Sequence, residues 1–170
     1  MARPDQRSRD RFQSHANVAV HGGDAYVEFE AAETNLSHIA GVALIGACPF
    51  PCPDGDPGFA DIDFALSLNN DGRVYILQIG ALVPGPDLGQ SFGTYAAGER
   101  FRVRAKDNLN GTATVRYTRI VGACVPGNPC NESLIFENIS PAAGAYPLRA
   151  AAAFREQGAT LANVSIVRIQ

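Results

Sequence analysis

Four aspartates, Asp54, Asp56, Asp61 and Asp63, fall within ten residues beside the breaker-rich loop PFPCPDGDPGF. A hard cation such as calcium takes about 6 to 8 oxygen ligands, and clustered carboxylates with loop carbonyls can supply them. The spacing is not that of an EF-hand loop, and a solvated acidic loop running into the polar positions of a strand explains the same residues. Asp61 and Asp63 suggest a second chemistry. Two carboxylates on one strand face stand about 6 to 7 Å apart by strand rise, near the 5 to 5.5 Å or so that a retaining glycosidase requires. No glutamate joins them on that face, and His15, His21 and His38 are too scattered to build a nucleophile-histidine-acid arrangement. No catalytic residue is assigned, and the histidines read as surface or capping residues.

A second group is basic. Arg100, Arg102, Arg104 and Lys106 alternate along one strand with Arg116 close by, and Lys106 is the only lysine of the chain. Guanidinium groups recognise carboxylates and sulfates in a planar, two-pronged geometry, so this row can meet an acidic glycan or a partner protein. A row of charges that keeps an edge strand soluble is the plainer reading. Sugars stack on exposed aromatic rings, and the chain has no tryptophan and five tyrosines. Tyr26, Tyr75 and Tyr95 are the platforms available, and Tyr117 reads as core. The candidate ligand-binding residues are therefore Tyr26, Tyr75, Tyr95, Arg102, Arg104 and Arg116.

Four cysteines form two tight pairs, Cys48/Cys52 and Cys124/Cys130, each in a proline-rich loop. Two loop-stapling disulfides, Cys48–Cys52 and Cys124–Cys130, are the simplest account and imply an oxidising compartment. A four-cysteine zinc site and pairing across the two loops are the alternatives. Asn35, Asn110, Asn131, Asn138 and Asn163 each begin an Asn-x-Ser/Thr acceptor pattern, which matters only in a source that glycosylates exported proteins.

The elements that position these residues are strands. In Glu99 to Lys106 the side chains of Phe101, Val103 and Ala105 point one way and the basic row the other, as a period of two requires. Ala113, Val115 and Tyr117 oppose Thr112, Thr114, Arg116 and Thr118 in the same manner. Asp107, Asn108, Asn110 and Gly111 tolerate the positive φ of a hairpin loop between them. Ala25, Val27, Phe29 and Ala31 alternate with Tyr26, Glu28 and Glu30. His38 to Ile45 is a continuous apolar run suited to an inner strand. Ile62, Phe64, Leu66 and Leu68 alternate with polar residues, and Asn69-Asn70-Asp71-Gly72 turns the chain into Arg73 to Ile79. Leu134 to Phe136 is a short apolar run, and Ala162, Val164 and Ile166 share a face near the end. About nine or ten strands between turn signals predict a sandwich or barrel. One segment conflicts: PLRAAAAFREQG, 147 to 158, has a leading proline, four alanines and a closing glycine, all helix signals.

At 170 residues the chain suits one domain of 17 to 170 after a linker-like segment of 1 to 16. Hydrophobic residues are 46% and charged residues 18%, a globular balance, and the net charge of −3 gives no reason to expect nucleic acid. No apolar run of about 18 residues predicts a transmembrane helix. The basic start lacks the apolar core of a signal peptide, so the chain reads either as one that is not exported or as a segment of an exported protein.

The order ADIDFAL, NNDGRVYI, FGTYAAGERFRV, TVRY, AYPLRAAAAF and GATLANVSI resembles the concanavalin A-like jelly-roll domain of bacterial secreted and surface proteins, and is similar in layout to SPRY domains. The resemblance covers about residues 24 to 168 and implies an all-β, antiparallel two-sheet jelly-roll sandwich in which AYPLRAAAAF is a strand. Two departures stand out: Glu99 takes the place of an aspartate, and both cysteine loops read as insertions. Hydrolases and lyases of this fold carry paired carboxylates or a Gln-Ile-His strand with a Tyr-Lys strand. Here Asp61-Ile62-Asp63 lacks the second glutamate, Gln78-Ile79 the histidine, and Lys106 the tyrosine. The expectation is a non-catalytic binding or adhesion module of an extracellular or cell-surface bacterial protein, with a glycan or protein partner and no cofactor beyond a calcium that the aspartates can hold. A structural assembly subunit that self-associates, and a glycan-degrading enzyme, are the alternatives.

Overall fold

The computed structural model describes residues 13–20, 23–44, 62–122, 130–140 and 148–169. Eleven strands make up the described elements: β1 (Gln13–Val20), β2 (Asp24–Ala31), β3 (His38–Leu44), β4 (Phe64–Leu68), β5 (Val74–Gln78), β6 (Ala81–Val83), β7 (Arg100–Asp107), β8 (Ala113–Val121), β9 (Asn131–Ser140), β10 (Leu148–Phe154) and β11 (Leu161–Ile169). They pair antiparallel into a six-stranded sheet, β1-β10-β3-β4-β5-β6, and a five-stranded sheet, β11-β2-β7-β8-β9. The chain is the antiparallel two-sheet jelly-roll sandwich expected from its sequence, and no helix long and apolar enough to cross a membrane occurs among the described residues.

The period-two pattern decides which side chains meet. Val27, Phe29, Phe101, Val103, Ala105, Val115 and Tyr117 line the inner face of the five-stranded sheet, against Ala40, Val42, Phe64, Leu66, Leu68, Val74 and Ile76 of the other. Phe29 stacks on Phe101 with centroids 6.1 Å apart, and Tyr95 meets Phe101 edge-on at 6.4 Å. The six-stranded sheet also carries a second buried cluster on its other side, Ala43, Ile62, Ala65, Leu77, Ala151 and Ala153. Because Ile62 joins that side together with Ala65, the expected alternation starts at Phe64 and not before it.

The alanine-rich segment is the strand β10, and its local helix signals lose for identifiable reasons. It pairs with β1 on one side and with β3 on the other, from Leu148↔Leu44 to Phe154↔His38. A helix of this length is marginal on its own, whereas two ladders satisfy the strand's backbone and its alanines pack into both clusters. Other expectations need correction. β1 starts inside the segment assigned to a linker. In β11 a register shift between Ala162 and Ser165 breaks the alternation, so that Leu161 and Ile166 pack on the core while Val164 is exposed. Asn163 takes φ +49° at that shift and donates through Nδ2 to Glu30 at 2.7 Å.

His38 is not a surface residue. It sits at an inward position of β3, fully buried, edge-on to Tyr95 at 6.4 Å. Among the described residues neither ring nitrogen meets a partner at full hydrogen-bond geometry, and Nδ1 lies 3.9 Å from Glu33 Oε1. Burial pushes the imidazole below its ordinary value of 6.5, although Glu33, the Leu36 backbone and Glu156 pull the other way. The unfolded chain therefore takes up this proton first. The stability His38 contributes is complete above about pH 6.5 and declines as pH falls from there towards the folded value. Urea unfolding between about pH 8 and pH 5 should show that decline, and His38→Phe should flatten it; an equal slope in the variant would assign the decline to other groups.

Candidate functional site

Four of the six ligand candidates come together on the outer face of the five-stranded sheet, and register explains how. Tyr26 pairs with Arg104, Glu28 with Arg102, Glu30 with Arg100 and Asp24 with Lys106. β8 then sets Thr118 opposite Arg102, Arg116 opposite Arg104 and Thr114 opposite Lys106, and β9 adds Glu137 beside Arg116. β7 is thus a central strand, and its basic row does not guard an edge. It faces carboxylates instead.

Glu28 lies between two guanidiniums. Its Oε1 accepts from Arg100 Nε at 3.1 Å and its Oε2 from Arg102 Nη2 at 2.7 Å. Arg102 also donates to Glu132 and rests over the Tyr26 ring, 3.9 Å from guanidinium carbon to centroid. Its Nη2 comes within 3.8 Å of Cys130 Sγ, where the second cysteine loop rejoins the sheet. Arg102 is only 8% exposed and Thr118 only 2%, although both point away from the core. The middle of this face is a packed charge ladder, and Thr118 Oγ1 is buried there without a hydrogen-bond partner among the described residues.

The face opens towards the β7–β8 hairpin. Arg104, Lys106, Asn108, Thr114, Arg116 and Glu137 line a depression of ≈ 260 Å³. Arg104 donates to both oxygens of Asp24, with Nε to Oδ1 at 2.7 Å, and this contact keeps the guanidinium protonated beyond its ordinary range. Arg116 Nε donates to Glu137 Oε2 at 2.7 Å. Thr114 Oγ1 donates to Asn108 Oδ1 at 3.1 Å, and Asn108 Nδ2 to Thr112 Oγ1 at 3.0 Å, so the hairpin holds its end of the wall in place.

The other candidates lie elsewhere. Tyr75 belongs to β5 in the opposite sheet, where its hydroxyl donates to Asp71 Oδ2 at 3.1 Å. Tyr95 is core: 7% exposed, with its hydroxyl donating to the Asn69 carbonyl at 2.9 Å and burial pushing it up to about 12. A ring in that position cannot stack on a sugar. Tyr117 is core as expected, and burial raises its phenol. Asp63 is 5% exposed ahead of β4, while Asp54, Asp56 and Asp61 lie outside the described residues, as do Cys48, Cys52 and Cys124. The sequence placed Lys106 in the basic row but missed Asn108, Thr114 and Glu137 as the rest of the wall. Its one usable signal was the alternation in β7 and β8, which puts Lys106, Thr114 and Arg116 on a common face.

Fold and site together define an antiparallel β-sandwich whose five-stranded sheet carries a charge-laddered outer face with one open, basic end. No family model and no curated protein matches the chain. Among solved structures it is similar to CG-16, a homodimeric agglutinin from chicken liver, at 9% identity and a TM-score of 0.41, with 92% of this chain and 99% of that chain covered. It is also similar to Scytalido-glutamic peptidase with a peptide based transition state analog, at 10% identity and a TM-score of 0.40, covering 94% of this chain and 76% of that one. Likenesses of this size carry no functional argument, and the fold rests on the strand order.

Proposed function

We propose that the domain is a non-catalytic binding or adhesion module that takes a glycan or protein partner on the outer face of its five-stranded sheet. The supporting observation is the convergence of Tyr26, Arg102, Arg104 and Arg116 on that face beside an open depression. Arg102 and Glu28 set the geometry, since they are packed and paired, and Arg104 and Arg116 are the side chains within a ligand's reach. Extracellular or cell-surface residence in a bacterium belongs to this reading, as do the Cys48–Cys52 and Cys124–Cys130 disulfides and a calcium at the Asp54 to Asp63 loop. Glycan-array binding measured with and without calcium tests it, with Arg116→Glu expected to lose most of the signal.

One observation favours an assembly subunit as the second reading. β9 is a ten-residue edge strand whose Leu134 and Ile139 are 56% and 61% exposed, and a long edge with apolar side chains is a template for pairing with another chain. Light scattering separates the two readings. A monomer that binds the array supports the module, whereas a large assembly without array binding replaces it with the structural role.

A further inference from the structure

We propose that the depression at the open end of this face takes an anionic sugar residue, with a carboxylate or sulfate held between Lys106 and Arg116. This rests on the binding-module reading and names its ligand class. The cations are not equally available. Arg104 is committed to Asp24 through both oxygens, and Arg116 spends its Nε on Glu137. Among the described residues the Nη groups of Arg116 donate no hydrogen bond and the ammonium of Lys106 forms no ion pair, and both side chains are exposed. Across the wall, three cations (Arg104, Lys106, Arg116) face two carboxylates (Asp24, Glu137), which leaves one positive charge over.

That surplus is local. The whole chain carries −3, so a diffuse attraction to polyanions is absent, and any retention on them must come from a patch. The lining is polar throughout and contains no aromatic ring, which suits a hydroxylated ligand and offers no platform for a nucleobase. Glu137 can accept from ring hydroxyls while Arg116 and Lys106 donate to the anion. At ≈ 260 Å³ the depression is smaller than the roughly 300 to 1,000 Å³ of sites that enclose a drug-sized molecule, and it suits one residue of a chain. An exposed ion pair changes affinity by only a few-fold, so binding is to a repeating polymer.

The test measures binding of the full chain to polygalacturonate, dextran sulfate and neutral dextran at low salt. Both anionic polymers, or the one whose anion fits, should be retained and dextran should not. Lys106→Glu should weaken retention about tenfold. Arg155→Glu makes the same change in net charge at an exposed residue after β10, in the other sheet, and should leave retention as it is. Equal losses in the two variants would reduce the effect to overall charge and overturn the proposal. Retention on dextran or neutral array glycans that ignores Lys106→Glu would also overturn it, while leaving the binding-module reading intact.

Discussion

Replacing Glu28 with alanine is expected to destabilise the domain by about 3 kcal/mol, more than any other single change on the outer face. The carboxylate accepts from Arg100 and Arg102 at once, and the side chains of Glu28 and Arg102 are 14% and 10% exposed. Without it, two guanidiniums two residues apart on one strand face lose their shared counter-charge, and Arg102, the more enclosed of the two, is left with Glu132. A buried pair broken on one side costs about 3 to 5 kcal/mol, because the remaining charge keeps its desolvation penalty. The partial exposure of Arg100 and the surviving Arg102–Glu132 pair put this case at the lower end. Arg102→Met removes the trapped charge and keeps much of the volume over Tyr26, so it should cost about 1 kcal/mol or less. The double variant should recover most of the Glu28→Ala loss. Urea midpoints at constant m-value measure all three. If Glu28→Ala were within 0.5 kcal/mol or so of the parent, the ladder would be surface decoration.

That ladder marks the boundary of what the sequence could say. Alternation in β7 and β8 is local, and it identifies Phe101, Val103, Val115 and Tyr117 as core and the basic row as outward. The pairing of β2 with β7 joins residues more than seventy positions apart, as in Arg102 with Glu28, and nothing in either segment names its partner. A row that looks available for a ligand is therefore half consumed by its neighbours. His38 and Tyr95 mislead for the same reason, since each looks polar in sequence and is enclosed only by strands that arrive from elsewhere. The hairpin loop shows a smaller failure of this kind. Residue type points to asparagine and glycine for the positive φ, yet Leu109 adopts it together with Gly111. Asp107 Oδ1 accepting from Leu109 N at 2.8 Å and Asn110 Oδ1 accepting from Thr112 N at 3.1 Å fix the turn around it. The assignment of AYPLRAAAAF as a strand comes from resemblance to a family pattern, because propensity points to a helix and only the flanking β1 and β3 supply the two ladders.

Gly41→Ala is expected to cost more than about 4 kcal/mol, a large share of the roughly 5 to 15 kcal/mol that holds an ordinary domain together. Gly41 pairs with Ala151 on one side and Ala65 on the other, in the middle of the six-stranded sheet. A Cβ there would run into the carbonyl oxygen of Phe64, with the Ala65 Cα 2.6 Å away and the Phe64 carbonyl carbon at 2.8 Å. All of these are backbone atoms, so no rotamer change relieves the contact. β4 cannot retreat either, because it is held by β5 on its far side and Phe64, Ala65 and Leu66 are fully buried. β3 and β4 must then separate. Separation loosens ladder hydrogen bonds worth about 1 kcal/mol each, together with the packing of Ala40 and Val42 against the facing sheet. Gly72→Ala is the comparison that isolates the cause. Gly72 sits in the β4–β5 turn at φ +73°, and nothing lies within 4 Å of the place an alanine methyl would occupy, so its cost is conformational strain alone, about 1 kcal/mol. If urea midpoints placed Gly41→Ala no lower than Gly72→Ala, the close approach of β3 to β4 would not be what holds alanine out of this position.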